Sequence, residues 1–271
     1  MPITLINDSA AEVTHARVPP LVVAHRGASV QHPENTIPAF VAGIDQGADM
    51  IETDVHLNRD GDLIVIHDDT FDRTTNVRTL HPDRAEISVS GMTTAEIAAL
   101  DAGSWKGASF AGVTVPHLTE VLDLVHTTRT GLLLEVKQPA RYPGIAEAIA
   151  ESLRSVPGYL ERALAAGLLV VQSADWSFVR EFHELAPEIP VGILGRPSLA
   201  ELREFATWAD QINSEYTAVD PIYLDFVHEL GMSSLVWTVD SVDDMEKAID
   251  LGADGIITNL PDRLVQLVEE I

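Results

Sequence analysis

Charged side chains stand where several short apolar runs of this sequence end. They occur in four segments, Ala24-His25-Arg26-Gly27, Ile51-Glu52-Thr53-Asp54, Ile66-His67-Asp68 and Leu134-Glu135-Val136-Lys137. A charged residue that ends an apolar strand lies at the carboxyl end of a sheet, where α/β folds build their active sites. Among these residues are two His, one Arg, one Lys and the three carboxylates of Glu52, Asp54 and Glu135, a set that suits metal-assisted chemistry on a phosphate group.

The three carboxylates are predicted to form a metal site. Glu52 and Asp54 are two positions apart on one strand, so their side chains point to the same face, and Glu135 and Lys137 repeat this spacing on the next barrel strand. Converging carboxylates repel one another, and a hard divalent cation with oxygen ligands relieves that repulsion. We therefore expect Mg²⁺ or Ca²⁺ on Glu52, Asp54 and Glu135, with ion pairs to Arg or Lys at the barrel rim as the alternative.

Two imidazoles are expected beside this cluster. His25 follows an apolar strand and His67 ends a hairpin, so one can accept a proton from water while the other protonates a leaving alkoxide. Arg26 offers a forked donor and Lys137 a compact charge for phosphate oxygens; the alternatives are a rim salt bridge for Arg26 and pairing with Glu135 for Lys137. The other eight His residues lack such neighbours and are expected to be surface or loop groups: His15, His32, His56, His81, His117, His126, His183 and His228.

The elements that must position these side chains are repeating βα units. Apolar runs of four to six residues alternate with helical patterns along the chain, as expected around a parallel sheet. The predicted strands are Leu21–Ala24, Met50–Val55, Gly131–Val136, Leu168–Gln172, Val191–Leu194, Ala218–Val219, Leu235–Val239 and Gly255–Thr258. Eight such strands predict an α/β fold with a closed (β/α)8 TIM barrel. We expect a single domain over residues 1–271, of which residues 1–19 are an N-terminal extension.

The segment Leu63–His67 follows the second strand too closely for a crossover helix and is predicted to pair as a β-hairpin. If Asp60-Gly61 is a two-residue loop, Asp54 lies opposite His67. The stretch 68–115 is polar and interrupted by Gly, and it is far longer than a usual connection. It is predicted to be an insertion of about 45 residues over the catalytic face.

Composition narrows the function classes. The 271 residues are 46% hydrophobic, which allows one large core, and no apolar run reaches the ~18 residues of a membrane span. The 42 acidic and 17 basic residues give a formal charge of −25, which argues against nucleic acid as a partner. The absence of Cys excludes disulfides and thiolate nucleophiles. The first 20 residues lack the pattern of a signal peptide, so a cytoplasmic location is expected.

The order of the motifs resembles the glycerophosphodiester phosphodiesterase family from about residue 20 to residue 265. The matching segments are Ala24-His25-Arg26-Gly27, Pro33-Glu34-Asn35-Thr36, Glu52-Thr53-Asp54-Val55, His67-Asp68, Glu135-Val136-Lys137, Gln172-Ser173, Trp237-Thr238-Val239-Asp240 and Gly252-Ala253-Asp254-Gly255-Ile256-Ile257-Thr258. Each segment alone is weak, but together they are specific. Ala174, His117 and Asn259 depart from the common pattern, which leaves the alcohol specificity open.

The resemblance implies a TIM barrel that hydrolyses glycerophosphodiesters to sn-glycerol 3-phosphate and an alcohol, with one Ca²⁺ or Mg²⁺ ion. It implies His25 and His67 as the acid/base pair, Glu52, Asp54 and Glu135 as metal ligands, Arg26 and Lys137 on the phosphate, and Trp237 and Gln172 in the substrate pocket. For Trp237 the alternative is ordinary barrel filling. Attack through a cyclic phosphate and direct attack by water both remain open.

Three other functions compete with this one. A lysophospholipase D would use the same site on a lipid-bearing diester, and an apolar groove beside Trp237 would favour it. A Schiff-base aldolase would use Lys137 as an amine nucleophile, although Glu135 on the same face should keep that amine charged. A non-catalytic phosphate-binding barrel is the third. The expected partner is a small molecule, and no oligomeric state is predicted.

Overall fold

The computed structural model describes residues 19–84 and 86–271. The predicted N-terminal extension, residues 1–19, lies outside the described residues except for its last position. The strands are β1 (Leu21–His25), β2 (Met50–Leu57), β3 (Leu63–Val65), β4 (Gly131–Val136), β5 (Leu169–Ser173), β6 (Val191–Leu194), β7 (Gln211–Glu215), β8 (Ser233–Trp237) and β9 (Gly255–Thr258). The helices are α1 (Ile37–Asp45), α2 (Val77–Leu80), α3 (Thr94–Ile97), α4 (Leu118–Thr128), α5 (Ile145–Ser155), α6 (Tyr159–Ala166), α7 (Trp176–Leu185), α8 (Leu199–Phe205), α9 (Pro221–Glu229), α10 (Val242–Leu251) and α11 (Pro261–Glu269).

Eight parallel strands close into a ring, and helices cover its outer face. The ring is closed because β1 pairs with both β2 and β9, while β3 lies outside it, antiparallel to β2. The predicted (β/α)8 barrel with an added hairpin is therefore confirmed. In the strands, residues such as Ile51 and Leu134 pack against the helices, whereas Val23, Leu133 and Ile257 fill the barrel interior.

The predicted strand Ala218–Val219 is wrong. Residues 216–218 form a 3₁₀ turn, and the strand in this place is β7, Gln211–Glu215. Its sequence is mostly polar because Gln211 and Asn213 hydrogen-bond to each other inside the barrel, while Ile212 between them joins the outer core. A search of the sequence for apolar runs does not detect a strand whose inward-facing side chains are amides.

The predicted hairpin register is wrong by one residue. Val55 pairs with Val65 and Leu57 with Leu63, and the Ile66 amide donates to the Asp54 carbonyl, so Asp54 lies opposite Ile66 rather than His67. The backbone N–H of Asn58 donates to the Asp62 carbonyl, so these two residues close the hairpin. The loop between them therefore has three residues, 59–61, instead of two. The Asn58 side chain accepts two backbone N–H groups, from Asp60 and Asp62, and the last loop residue is a glycine with φ of 90°.

The insertion 68–115 has a small core of its own. Phe71, Val77, Val89, Met92 and Ile97 are buried together with Ile64 and Ile66 of the hairpin. Lys106 Nζ from this insertion donates to the Ser29 carbonyl, 2.7 Å away, in the loop after β1. The insertion is thereby attached to the face on which the barrel strands end. Among the described residues, no helix is long and apolar enough to cross a membrane.

Candidate active site

A cavity of about 240 Å³ opens at the carboxyl ends of the barrel strands, and we call it the inner cavity. Eight of the nine site residues predicted from the sequence line it: His25, Arg26, Glu52, His67, Glu135, Lys137, Gln172 and Trp237. The ninth, Asp54, is fully buried and lies next to Glu52 and Glu135. Residues far apart in the chain thus meet at one end of the barrel.

The carboxylates of Glu52, Asp54 and Glu135 converge, with one oxygen from each lying within 4.8 Å of the others. Burial and the negative charges of Asp54 and Glu135 raise the pKa of Glu52, and burial and Asp54 raise the pKa of Glu135. Burial acts in the same direction on Asp54, but the cations of Lys137 and Arg26 outweigh it and lower the pKa of that carboxyl. Of the three carboxyl groups, Asp54 is therefore the one that stays ionised to the lowest pH.

Two buried oxygens of this cluster make no hydrogen bond within the described part of the chain. Glu52 Oε1 and Asp54 Oδ1 are buried without a hydrogen bond, although Lys137 Nζ lies 3.0 Å from Asp54 Oδ1 as an ion pair. Buried carboxylate oxygens are normally hydrogen-bonded. Among the described residues Glu52 Oε1 makes no hydrogen bond, and the contact of Asp54 Oδ1 is the ion pair with Lys137, so both oxygens can still bind a cation. Three converging carboxylates with unsatisfied oxygens fit a hard divalent cation.

Asn35 holds the Asp54 carboxylate in place. Its Nδ2 donates to Asp54 Oδ2 at 2.7 Å, and its Oδ1 accepts the hydroxyl of Thr53 at 2.9 Å. Because both ends of the buried amide are engaged, its orientation is defined. The motif Pro33–Thr36 is recognisable in the sequence, but the contact of Asn35 with Asp54 is not, since it depends on the path of the loop after β1.

Arg26 and Lys137 both contact the carboxylate cluster and border the cavity. Arg26 Nε lies 3.2 Å from Asp54 Oδ2, and its Nη1 donates to Glu34. Lys137 contacts Glu135 and Asp54. The ion pairs given above as alternatives are therefore present, and the exposed 17% of each cationic side chain leaves it able to contact a ligand as well.

His25 is held in one tautomer by an amide. Its Nδ1 lies 2.7 Å from Asn259 Oδ1, and Asn259 Nδ2 donates to Asp240 at 2.7 Å. With the NH₂ group committed to Asp240, the Asn259 oxygen faces His25 and accepts its Nδ1–H, which leaves the Nε2 lone pair free. Burial, together with the charge of Arg26, lowers the pKa of His25 to about 4, so this imidazole is neutral near pH 7.

His67 has a carboxylate partner instead. Its Nδ1 donates to Asp68 Oδ1 at 2.7 Å, and Arg73 binds the same carboxylate through two nitrogens. The hydrogen bonds from Arg73 lower the pKa of Asp68 to about 2, so this partner is anionic. Burial lowers the pKa of His67, and the charge of Asp54 opposes that effect.

His56, expected on the surface or in a loop, is fully buried on β2. One ring nitrogen, Nε2, lies 3.1 Å from the His67 carbonyl, and the other, Nδ1, lies 2.9 Å from the Tyr142 hydroxyl. Because a carbonyl only accepts, Nε2 carries the hydrogen and the tyrosine donates to Nδ1. The signal was present in the sequence, since His56 continues the two-residue spacing of Glu52 and Asp54 and so points to the same side.

Gln172 is oriented by a residue that sequence reasoning missed. Asn213, fully buried on β7, donates from Nδ2 to Gln172 Oε1 at 2.6 Å. The Gln172 NH₂ group is therefore free for the cavity that this side chain lines. The indole N–H of Trp237 donates to the backbone carbonyl of Asn213 at 3.0 Å. Asn213 therefore orients the side chains of both predicted pocket residues, Gln172 and Trp237.

A larger, more open cavity of about 900 Å³, which we call the outer cavity, adjoins the inner one. The two share His67, Glu135 and Lys137. Beyond these residues, the outer cavity is bordered by the loops after β3, β4 and β5, which contribute Asp68, Asp69, Gln138, Ala174, Asp175 and Trp176 among others.

Known proteins resemble this chain over nearly its whole length. The model of the glycerophosphoryl diester phosphodiesterase family matches residues 25–263. A glycerophosphodiester phosphodiesterase of Caldanaerobacter subterraneus subsp. tengcongensis is 37% identical over 258 residues, covering 92% of this chain and 98% of that protein. The putative glycerophosphodiester phosphodiesterase YhdW of Bacillus subtilis is 34% identical over 250 residues, 90% of this chain and 96% of that protein.

Solved structures give the same result. An Oleispira antarctica phosphodiesterase, in complex with the product sn-glycerol-3-phosphate, superposes with a TM-score of 0.81 at 27% identity, covering 93% of this chain and 98% of that one. A putative glycerophosphoryl diester phosphodiesterase from Silicibacter pomeroyi has a TM-score of 0.80 at 28% identity, covering 94% and 95% of the two chains.

Proposed function

The chain belongs to the glycerophosphoryl diester phosphodiesterase family, and we propose that it hydrolyses glycerophosphodiesters to sn-glycerol 3-phosphate and an alcohol. The observation that carries the proposal is the inner cavity, where two imidazoles, a carboxylate cluster and two cations meet. Its size suits the glycerol phosphate half of such a diester. The product complex of the Oleispira antarctica relative supports the same substrate class.

Glu52, Asp54 and Glu135 would hold one Ca²⁺ or Mg²⁺ ion. Such an ion, when bound, supplies positive charge that polarises a phosphoryl oxygen. Arg26 and Lys137 bind the phosphate beside it. These local cations are needed because the formal charge of −25 repels an anionic substrate at longer range.

In this mechanism His25 is the general base and His67 the general acid. The free Nε2 of neutral His25 accepts the proton of the attacking hydroxyl, which belongs to water or to the substrate's own glycerol. The attacking oxygen bonds to phosphorus as the bond between phosphorus and the alcohol oxygen breaks, and the alcohol oxygen takes a proton from His67. When the glycerol hydroxyl attacks, the cyclic phosphate that forms is opened by water in a second step, which gives sn-glycerol 3-phosphate. Burial lowers the pKa of His67, but Asp68 opposes this effect and stabilises the imidazolium form, whereas the neutral amide beside His25 carries no charge that would do the same.

The rival functions fit the contacts less well. The pKa of Lys137 is raised because the charges of Asp54 and Glu135 outweigh burial, so its amine stays protonated and is a poor Schiff-base nucleophile. The outer cavity is bordered by charged groups, including Asp68 and Asp175, and so favours a polar alcohol over a lipid chain. Our proposal treats the chain as one barrel domain, with 68–115 as its insertion.

The test is release of sn-glycerol 3-phosphate from glycerophosphocholine, glycerophosphoethanolamine, glycerophosphoglycerol and glycerophosphoinositol. Each diester is assayed with Ca²⁺, with Mg²⁺ and with EDTA. We expect release with at least one ion and loss of release in EDTA. No release from any of the four overturns the proposed reaction, and full activity in EDTA overturns the role of the metal.

A further inference from the structure

The outer cavity lies on the leaving-group side of the candidate site. His67 borders both cavities, whereas His25 borders only the inner one. If His67 protonates the departing oxygen, the alcohol attached to that oxygen extends from His67 into the outer cavity. We propose that the outer cavity binds the alcohol and prefers one that carries an ammonium group. This inference rests on the proposed function and adds to it the class of alcohol.

The first reason is that one carboxylate at the outer cavity, Asp175, has no cationic partner among the described residues. Three acids at the outer cavity are ion-paired: Asp68 with Arg73, Asp69 with Arg141 and Glu135 with Lys137. Asp175 has no ion pair within residues 19–84 and 86–271. Its Oδ1 accepts the backbone N–H groups of Ser177 and Phe178 at the start of α7, and its Oδ2 makes no bond in the same residues. One carboxylate oxygen is therefore free for a ligand cation.

The second reason is the tryptophan next to it. Trp176 borders the same cavity, and its ring is held in place because the indole N–H donates to the Leu194 carbonyl at 3.0 Å. The ring also packs edge-on against Phe205, with centroids 5.4 Å apart. A fixed indole beside a free carboxylate is a combination that attracts ammonium groups, quaternary ones above all.

The third reason is the space left by Ala174. This exposed residue contributes only a methyl group to the wall, and the neighbouring Ser173 hydroxyl is turned away to the Val136 carbonyl at 2.7 Å. A volume of about 900 Å³ has room for an alcohol as large as choline.

The test compares kcat/KM for glycerophosphocholine and for glycerophosphoglycerol, two diesters that differ only in the charge and shape of the alcohol. Both are measured at low salt with saturating metal, in the wild type and in Asp175→Asn. The amide keeps the size and the capping oxygen of Asp175 but removes its charge. We expect the preference for glycerophosphocholine to fall about fivefold, the scale of one half-exposed ion pair.

The matched control is Asp220→Asn, the same change at the start of α9. Asp220 accepts the Tyr223 N–H at a distance of 2.9 Å and lines neither cavity. It should leave the preference unchanged. Ala174→Phe should lower kcat/KM for both diesters while sparing the methyl ester of glycerol phosphate, whose alcohol is too small to reach the phenyl ring.

The outcomes separate the two proposals. Hydrolysis of the diesters with the same preference in wild type and Asp175→Asn overturns the ammonium preference alone. Full activity of Ala174→Phe on both larger diesters overturns the assignment of the outer cavity to the alcohol. Failure to hydrolyse any diester overturns the proposed function and this inference with it.

Discussion

The Nδ1 atom of His25 lies 2.7 Å from Oδ1 of Asn259, and Asn259 is itself fixed by two contacts with Asp240. These hydrogen bonds connect the loops after β8 and β9, which carry Asp240 and Asn259, to His25 at the end of β1. It determines which ring nitrogen of His25 carries the hydrogen. In catalytic imidazoles, loss of the correct tautomer is costly even when the geometry is kept.

Replacing this amide should therefore impair turnover. Asn259→Leu removes the acceptor while keeping the branched shape of the side chain, and we expect kcat to fall at least ~10-fold with little change in KM. Asn259→Asp retains an oxygen facing His25, since the new carboxyl can share a proton with Asp240, and it should recover most of the activity. Steady-state kinetics on glycerophosphocholine would measure both variants. Equal loss in Leu and Asp would argue against the tautomer role.

The two proposed catalytic imidazoles can be tested directly. We expect His25→Ala and His67→Ala each to lower kcat by ~10²-fold or more, the scale of general acid–base catalysis. The control is His228→Ala, since His228 is exposed and its ring bonds only Asp254 among the described residues. Turnover of either site variant near that of the control would remove that imidazole from the mechanism.

The metal site makes a separate prediction. Glu52→Gln replaces one of three converging carboxylates and should abolish or strongly weaken binding of Ca²⁺ or Mg²⁺, measured by calorimetry on the protein without substrate. Glu246→Gln, an exposed change on α10, serves as the control for net charge. Unchanged affinity in Glu52→Gln would show that this residue is not a ligand.

Much of the site follows from side-chain periodicity. Glu52 and Asp54 share a face because strand residues alternate, and Glu135 joins them because parallel strands end at the same rim. In the structure β2 and β4 are neighbours, with Asp54 directly beside Glu135 in register. These contacts depend only on strand identity and register, which the apolar runs indicate.

The contacts that sequence reasoning missed depend on loops and on the barrel interior. Asn35 and Asn259 reach their partners through turns whose path no periodicity describes. Asn213 was not predicted as a site residue because its strand, β7, has polar side chains inside the barrel and was not recognised in the sequence. The hairpin register depends on one extra loop residue, which the Asn58 side chain stabilises through local hydrogen bonds.

Stability in the absence of metal should depend on pH through Glu135. Burial and Asp54 raise the pKa of this carboxyl to about 7, above its value in the unfolded chain. The folded state therefore holds a proton that the unfolded state releases, and stability is lost as pH rises from about 4.5 to 7. Glu135→Gln lacks this proton and should gain in Tm relative to the wild type over that range.

The measurement is thermal unfolding of both proteins in EDTA at several pH values. Saturating Ca²⁺ or Mg²⁺ should reverse the difference, because the ion stabilises only the charged wild-type cluster. A difference in Tm that stays constant with pH in EDTA would contradict the raised pKa.

The buried pair of His56 and Tyr142 should contribute to stability. The Tyr142 hydroxyl donates to His56 Nδ1, and the other nitrogen of the ring holds the His67 carbonyl. Tyr142→Phe leaves a buried ring nitrogen without a partner, which should cost about 1–3 kcal/mol of unfolding free energy. Urea unfolding would measure it against Tyr216→Phe, which removes only a hydroxyl bonded to Asp244. If both variants lose the same small amount, His56 Nδ1 has another donor and the hydroxyl is not required.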